Sequence, residues 1–119
     1  MNLIYEAGDI VFFRNVKFKD FDGKSRVDIR LAGHPFLVLN DVQSFGDTCY
    51  ALKITSRKLN NIPQYPLLVT STTPKLRKSS FINLNKLFQF DITSNVIPCC
   101  RLKQQHFKRI CNMMCKVSY

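Results

Sequence analysis

Short runs of β-branched and aromatic residues, each broken by Gly, Pro, Asn or Asp, fill most of the chain and restrict it to a mainly β fold. The run Phe36-Leu37-Val38-Leu39 is continuously apolar, which is typical of a strand that is buried on both faces. Strands are predicted at 9–18, 36–39, 48–54, 67–69 and, as one long or two short strands, 81–90. Strands this short favour a small barrel or half-barrel.

The spacing of apolar residues changes near the end of the chain. A stripe at steps of three and four residues predicts an amphipathic helix over 102–117. The stripe consists of Leu102, His106, Ile110, Met114 and Val117. No Ser, Thr, Asp or Asn stands just ahead of Leu102, so the start of the helix is poorly defined. On this stripe His106 is expected in the core or at its edge.

The chain has 119 residues, of which 45% are apolar, and this suffices for one domain with its own core. We therefore expect a single domain over 1–119. No apolar run approaches the ~20 residues that a transmembrane helix needs. The first six residues lack a basic segment followed by an apolar one, so we expect no signal peptide, no membrane association and a cytoplasmic location.

Positive charge is concentrated in the second half of the chain. Residues 1–47 hold six basic and seven acidic residues, whereas residues 48–119 hold twelve basic residues and the single acid Asp91. The net charge of +10 therefore belongs to the second half. This surplus indicates a polyanionic partner, such as nucleic acid, an acidic protein or an anionic membrane, or else a solvated basic surface.

The five cysteines do not form the pattern of a disulfide scaffold, because their number is odd and no export signal precedes them. Cys99 and Cys100 are adjacent, and Cys111 and Cys115 are four residues apart. A zinc site that adds His106 to these cysteines would match none of the usual ligand spacings. We expect reduced, mostly buried thiols, no metal and no other cofactor.

Three motifs follow one another along the chain. They are Gly8-Asp9-Ile10-Val11, then His34-Pro35-Phe36-Leu37-Val38-Leu39-Asn40-Asp41, then Ile54-Thr55-Ser56. Two shorter matches follow, at 76–84 and at Arg101-Leu102 before the predicted helix. In this order and spacing the motifs resemble those of the MazF/PemK family of bacterial toxins, over residues 8 to about 117. The resemblance implies one MazF/PemK-like toxin domain over 1–119, an SH3-like barrel of five to seven strands with a C-terminal helix.

The resemblance also implies a function. Members of this family are metal-independent, sequence-selective endoribonucleases that cleave single-stranded mRNA. They are the toxins of type II toxin–antitoxin modules and arrest translation and growth. The implied partners are single-stranded RNA, a second copy of the chain and a cognate acidic antitoxin that occupies the RNA groove. The implied location is the cytoplasm, with the protein of bacterial origin or encoded on a plasmid or phage.

Catalytic residues follow from the family motifs, with one departure. Thr55 matches the family's threonine at the scissile phosphate. His34 stands where typical members have their catalytic Arg before Pro, and an imidazole can accept and donate a proton near neutrality. A loop histidine without catalytic role is the other interpretation of His34. The missing cation is expected from Arg30 or Arg26, which no family motif supports.

Basic and hydroxyl-bearing loops are the expected RNA-binding surface. These residues are Ser56, Arg57, Lys58, Arg77, Lys78, Ser79 and Ser80. Phe81 or Phe36 could stack on a base, although strand positions favour the core for both. Because the family's Arg is absent, a second hypothesis remains: a non-catalytic SH3-like module that binds nucleic acid or an acidic partner protein.

Overall fold

The computed structural model describes residues 3–13, 17–19, 22–31, 33–93 and 98–117. Within these residues lie ten antiparallel strands, one α-helix and two short 3-10 turns, at Ile29–Leu31 and Val69–Ser71. The elements are β1 Asp9–Phe12, β2 Lys17–Lys19, β3 Ser25–Val27, β4 Pro35–Val38, β5 Thr48–Thr55, β6 Gln64–Leu67, β7 Thr72–Thr73, β8 Ser80–Asn83, β9 Phe88–Asp91, β10 Cys100–Leu102 and α1 Gln104–Met114. The expected mainly β fold with a C-terminal helix is confirmed.

Strand β5 joins two parts of the sheet. The strand order is β3-β2-β9-β5-β4-β1-β10-β7, and β6 pairs with β8, which in turn pairs with β5. Residues 48–51 of β5 pair with β9, whereas Ile54 and Thr55 pair with β8. The C-terminal end of β5 therefore lies between β4 and β8.

Strand β4 separates two hydrophobic cores. Phe36 and Val38 are fully buried in an aromatic core, and Leu37 is fully buried in an aliphatic core on the opposite face. The ring of Phe36 has its centroid 5.7, 5.5 and 5.2 Å from those of Phe13, Phe88 and Phe90. Successive side chains of a strand point to opposite faces, so the continuous apolar run predicts this double burial correctly.

Helix α1 covers the aliphatic core. Ile110 is fully buried, and Phe107 and Met114 are packed against the same core. His106 is half-buried, and its Nδ1 lies 2.7 Å from the hydroxyl oxygen of Tyr65, at the edge of the core as expected. In the part of the chain that the structure describes, no helix is long and apolar enough to span a bilayer.

The described residues form ten strands, more than the five to seven expected, because several very short strands count separately. Strands β3, β7 and β10 have three, two and three residues. Leu102, which was expected in the helix, belongs to β10 and pairs with Thr72 of β7. The helix begins only at Gln104. The strand predicted at 67–69 instead spans Gln64–Leu67. Strands of this length depend on the partner strand they pair with, which local composition does not show.

Candidate active site

Five strand ends meet at one edge of the sheet and form a cleft of about 600 Å³. The neighbouring strands β10, β1, β4, β5 and β8 run antiparallel, so their alternating ends lie side by side. The cleft is lined by Phe12, by residues 33–35, 54–56 and 76–78 with Ser80, and by Cys99 and Cys100. The sheet thus brings together segments that are far apart in sequence.

The pairing of β4 with β5 places His34 next to Thr55. Phe36 pairs with Lys53, and two further steps along this antiparallel register bring residue 34 opposite residue 55. Gly33 directly precedes His34 and has φ of 86°, a left-handed conformation that glycine adopts without steric cost. Gly33 and His34 directly precede β4, and both line the cleft.

His34 is held by a backbone carbonyl. Its Nδ1 lies 3.3 Å from the carbonyl oxygen of Ile54, and the ring is half-buried. A carbonyl only accepts hydrogen bonds, so Nδ1 carries the proton in this contact and a neutral ring leaves Nε2 as the acceptor. The resulting tautomer suits a general base.

Thr55 and Ser56 provide hydroxyl groups on the same wall. The Oγ1 of Thr55 accepts a hydrogen bond of 3.3 Å from the backbone N–H of Arg57, which leaves its own hydroxyl proton available for a ligand. Ser56 is exposed and also lines the cleft. Both follow directly from Ile54, so the histidine contact and the two hydroxyl groups lie on consecutive residues.

The cleft lining also carries positive charge. Arg77 and Lys78 line the cleft together with Ser80, and no carboxylate is among the lining residues. Both basic side chains are exposed, and neither forms an ion pair with another described residue. The cleft therefore favours an anionic ligand.

Other candidate residues lie outside the cleft lining. Arg30 is directed at Asp28, with its Nε and Nη2 atoms 3.0 and 3.1 Å from the two carboxylate oxygens. These hydrogen bonds lower the pKa of Asp28 and raise that of Arg30. Arg26 similarly lies 3.3 Å from Asp22. The structure therefore does not bring the expected cation of Arg30 or Arg26 to His34.

The remaining RNA-binding candidates are exposed next to the cleft. Arg57 and Lys58 directly follow the lining residue Ser56, and Ser79 directly precedes Ser80. They extend the basic surface beyond the cleft without lining it. A ligand longer than one nucleotide would reach them.

Phe12 is a cleft residue that the sequence did not single out. Its side chain is 44% exposed, and it pairs with Pro35, directly after His34. Phe36 is fully buried and cannot stack on a ligand, and Phe81, which is half-buried, is not among the lining residues. Successive side chains of a strand point to opposite faces, so the adjacent pair Phe12-Phe13 indicates only that the two rings lie on different faces, and the structure buries Phe13 and exposes Phe12.

Two further features bear on the chemistry. Among the described residues, no three His, Cys, Asp or Glu side chains come together as metal ligands. A smaller cleft of about 360 Å³ lies beside β2 and β9 and includes Lys19 and Asp91, whose charged groups are 3.8 Å apart. It contains none of the motif residues.

Comparison with protein-family models, with curated proteins and with solved structures finds no match to this chain. The function is therefore inferred from the geometry of the cleft and from the resemblance of the sequence motifs to those of a known family. The cleft joins an oriented imidazole, three hydroxyl groups and two cations within one water-accessible space.

Proposed function

We propose that the chain is a metal-independent endoribonuclease of the MazF/PemK type, which cleaves single-stranded RNA in this cleft. The observation that carries the proposal is the meeting of His34 and Thr55 in one cleft with Arg77 and Lys78. The two former residues occupy the catalytic positions of the family motifs. A volume of about 600 Å³ is also suited to a ligand of nucleotide size.

RNA cleavage without a metal requires three events. A base takes the proton from a ribose 2′-OH, which attacks the adjacent phosphorus. Cations and hydrogen-bond donors stabilise the negative charge of the phosphorane, and an acid protonates the departing 5′-oxygen. The products are a 2′,3′-cyclic phosphate and a 5′-OH.

His34 serves as the proton carrier in this proposal. Its Nδ1 contact with the carbonyl oxygen of Ile54 supports a tautomer with a free lone pair on Nε2. Nε2 accepts the 2′-OH proton and, once protonated, can return a proton to the 5′-oxygen. The hydroxyl of Thr55 donates to a non-bridging phosphate oxygen.

Arg77 and Lys78 supply the positive charge in place of the family's Arg. Arg30 is engaged by Asp28 and lies outside the cleft lining, which argues against its catalytic role. Both cleft cations are on the loop before β8. Phe12, which also lines the cleft, offers an exposed aromatic face for a base.

The wider biological assignment follows from the same proposal. The antiparallel sheet with its closing helix supports an SH3-like barrel of the MazF/PemK type. The proposed protein acts in the cytoplasm as a homodimeric toxin of a type II toxin–antitoxin module, and mRNA cleavage arrests translation and growth. An acidic, partly disordered antitoxin would compete with RNA for the positively charged cleft.

The test is cleavage of a long unstructured RNA by purified protein, followed by mapping of the ends. We expect 5′-OH and cyclic phosphate ends at a restricted set of sequences, and the same rate with EDTA. His34→Ala should abolish most of the activity. The matched control is His106→Gln, because the other histidine of the chain contacts Tyr65 outside the cleft.

The second hypothesis, a non-catalytic binding module, makes a different prediction. It is favoured by the absence of the family's Arg at position 34. In that case the wild type binds single-stranded RNA or an acidic peptide, and no cleavage occurs across diverse RNAs. Cleavage that persists unchanged in His34→Ala would instead remove this residue from the mechanism.

A further inference from the structure

Two adjacent thiols lie in the wall of the cleft, and the proposed RNA chemistry does not use them. Cys99 and Cys100 both line the cleft, and their Sγ atoms are 3.8 Å apart. Cys99 is exposed and Cys100 is buried. The expectation of mostly buried thiols is therefore wrong for this chain, because Cys115 is exposed as well and only Cys49 and Cys100 are buried.

A bend in the backbone brings the two sulfurs together. Consecutive side chains of a regular strand point to opposite faces, but Cys99 lies at a bend just before β10. Its backbone N–H and its Sγ lie 2.9 and 3.1 Å from the same acceptor, the carbonyl oxygen of Ile10. This double contact fixes the Cys99 side chain beside that of Cys100.

The environment lowers the pKa of the Cys99 thiol and raises the pKa of the Cys100 thiol. The S–H of Cys100 stabilises the Cys99 thiolate and, with nearby backbone N–H groups, lowers the pKa of Cys99 to about 7. The carbonyl of Ile10 opposes this effect, since it accepts from the thiol form. The neighbouring Cys99 sulfur and burial raise the pKa of Cys100.

We propose that Cys99 and Cys100 form a dithiol that hydroperoxides oxidise to a disulfide and that thiol reductants restore, in which Cys99 is oxidised first and Cys100 resolves the product. The Cys99 thiolate attacks one peroxide oxygen, the O–O bond breaks and hydroxide leaves, which gives a sulfenic acid. The Cys100 sulfur then attacks the Cys99 sulfur. The S–S bond forms, the S–O bond breaks, and the leaving hydroxide takes the Cys100 proton to form water.

Atoms and electrons balance over these two steps. Two thiols lose two electrons and two protons, and hydrogen peroxide is reduced to two molecules of water. An exposed, acidic thiol next to a resolving cysteine is the arrangement found in redox-sensing sites. Once Cys99 is a sulfenic acid it no longer holds the charge that suppresses ionisation of Cys100, so the second step becomes easier.

The product is expected to be readily reduced. Adjacent Cα atoms are about 3.8 Å apart across a trans peptide, closer than in ordinary disulfides, where the distance is about 4.4–6.8 Å. Strained disulfides are the more reducible ones and suit regulation better than structural support. The pair therefore fits a reversible modification and not a permanent staple.

The experiment uses the full-length wild-type protein, reduced and then freed of reductant. It is treated with a small molar excess of hydrogen peroxide, its remaining thiols are blocked with iodoacetamide, and it is digested with trypsin. Residues 87–101 form one tryptic peptide with these two thiols only, and residues 110–116 form another with Cys111 and Cys115. The second peptide is an internal control with two cysteines of its own.

We expect the 87–101 peptide to lose two hydrogen atoms and to take up no iodoacetamide, while the 110–116 peptide remains alkylated at both cysteines. Dithiothreitol should restore alkylation of 87–101. In Cys100→Ser the reaction should stop at a Cys99 sulfenic acid that dimedone captures. Cys115→Ser should form the 87–101 disulfide as the wild type does.

Two outcomes would overturn the proposal. One is full alkylation of 87–101 after peroxide treatment that already oxidises other thiols of the chain. The other is a disulfide that links two chains through these residues. The central measurement needs no variant and no RNA, so it stands or falls independently of the proposed ribonuclease activity.

Discussion

The Nδ1 atom of His34 lies 3.3 Å from the carbonyl oxygen of Ile54, the residue that directly precedes Thr55. One backbone segment thus orients the imidazole through its carbonyl and presents a hydroxyl group through its next side chain. The two groups proposed to act on the phosphate are therefore positioned by the same end of β5.

His34→Gln should remove the pH dependence of RNA cleavage. A general base accepts a proton only in its neutral form, so the wild-type kcat/KM should rise with pH. The amide of Gln cannot take over this proton transfer. We expect a rate lower by about 10²–10⁴ and a flat profile, measured with a fluorogenic single-stranded RNA. The wild-type profile should persist in His106→Gln.

Thr55→Ala should cost less than the loss of His34. One hydrogen bond to a charged group contributes about 1.5–3 kcal/mol, which corresponds to about a 10- to 100-fold loss of kcat/KM. Thr55→Ser retains the hydroxyl and should recover most of the rate. Equal activity of the Ala and Ser variants would show that the hydroxyl does not contact the phosphate.

Arg77→Ala combined with Lys78→Ala should flatten the salt dependence of RNA binding. Each phosphate contact of a single strand contributes about 0.7 to the slope of log K against log salt, so the double variant should lose up to ~1.4. Adding Arg57→Ala and Lys58→Ala should bring the loss to at most ~3. Lys103→Ala with Lys108→Ala removes equal charge from exposed positions near or on the helix. If this control flattens the slope as much, bulk charge explains the binding.

Cys100→Ala should make Cys99 less acidic. The thiolate of Cys99 is stabilised first by the S–H of Cys100, and its pKa is lowered to about 7. Alkylation of Cys99 by iodoacetamide in the wild type should therefore rise with pH and reach half its maximum rate near pH 7. In Cys100→Ala the midpoint should move upward, toward the range of about 8.5 of ordinary thiols. The rates are read from the 87–101 peptide.

Ile110→Ala should destabilise the fold by about 2–5 kcal/mol, because a fully buried side chain leaves a cavity between helix and sheet. Met113→Ala is the matched control on the same helix, since Met113 is exposed, and should change stability by about 0.5 kcal/mol or less. Urea unfolding followed by circular dichroism measures both. Similar values for the two variants would mean that α1 does not close the aliphatic core.

The sequence predicts the parts of the fold that depend on periodicity. The run at 36–39 and the stripe from Leu102 each reflect burial on particular faces, and both kinds of burial are present at 36–38 and at Ile110. Periodicity does not predict strands β3, β7 and β10. Their two or three residues become strands because a neighbour supplies hydrogen bonds, which is a property of the assembled sheet.

The candidate site also has residues that the sequence predicts and residues whose place depends on the folded chain. Motif order brings out His34 and Thr55, and the basic loop brings out Arg77 and Lys78. The structure does bring these four together in one cleft. Arg30 is four residues from His34 in sequence, but its local hydrogen bonds to Asp28 direct it elsewhere. Phe12 becomes a cleft residue only through the pairing of β1 with β4, which sequence spacing alone does not reveal.

Strand β4, with a core on each face, also protects the site against errors in the register of β4 and β5. A shift by one residue against β5 would exchange Phe36 and Leu37 between two cores of different shape and would turn every side chain of the strand over. Such a shift in register would disrupt the packing of both cores. The burial of Phe36 and Leu37, which do not line the cleft, thus maintains the alignment of His34 with Thr55. Substitutions that repack these two positions should lower the activity proposed for the cleft without changing any residue that lines it.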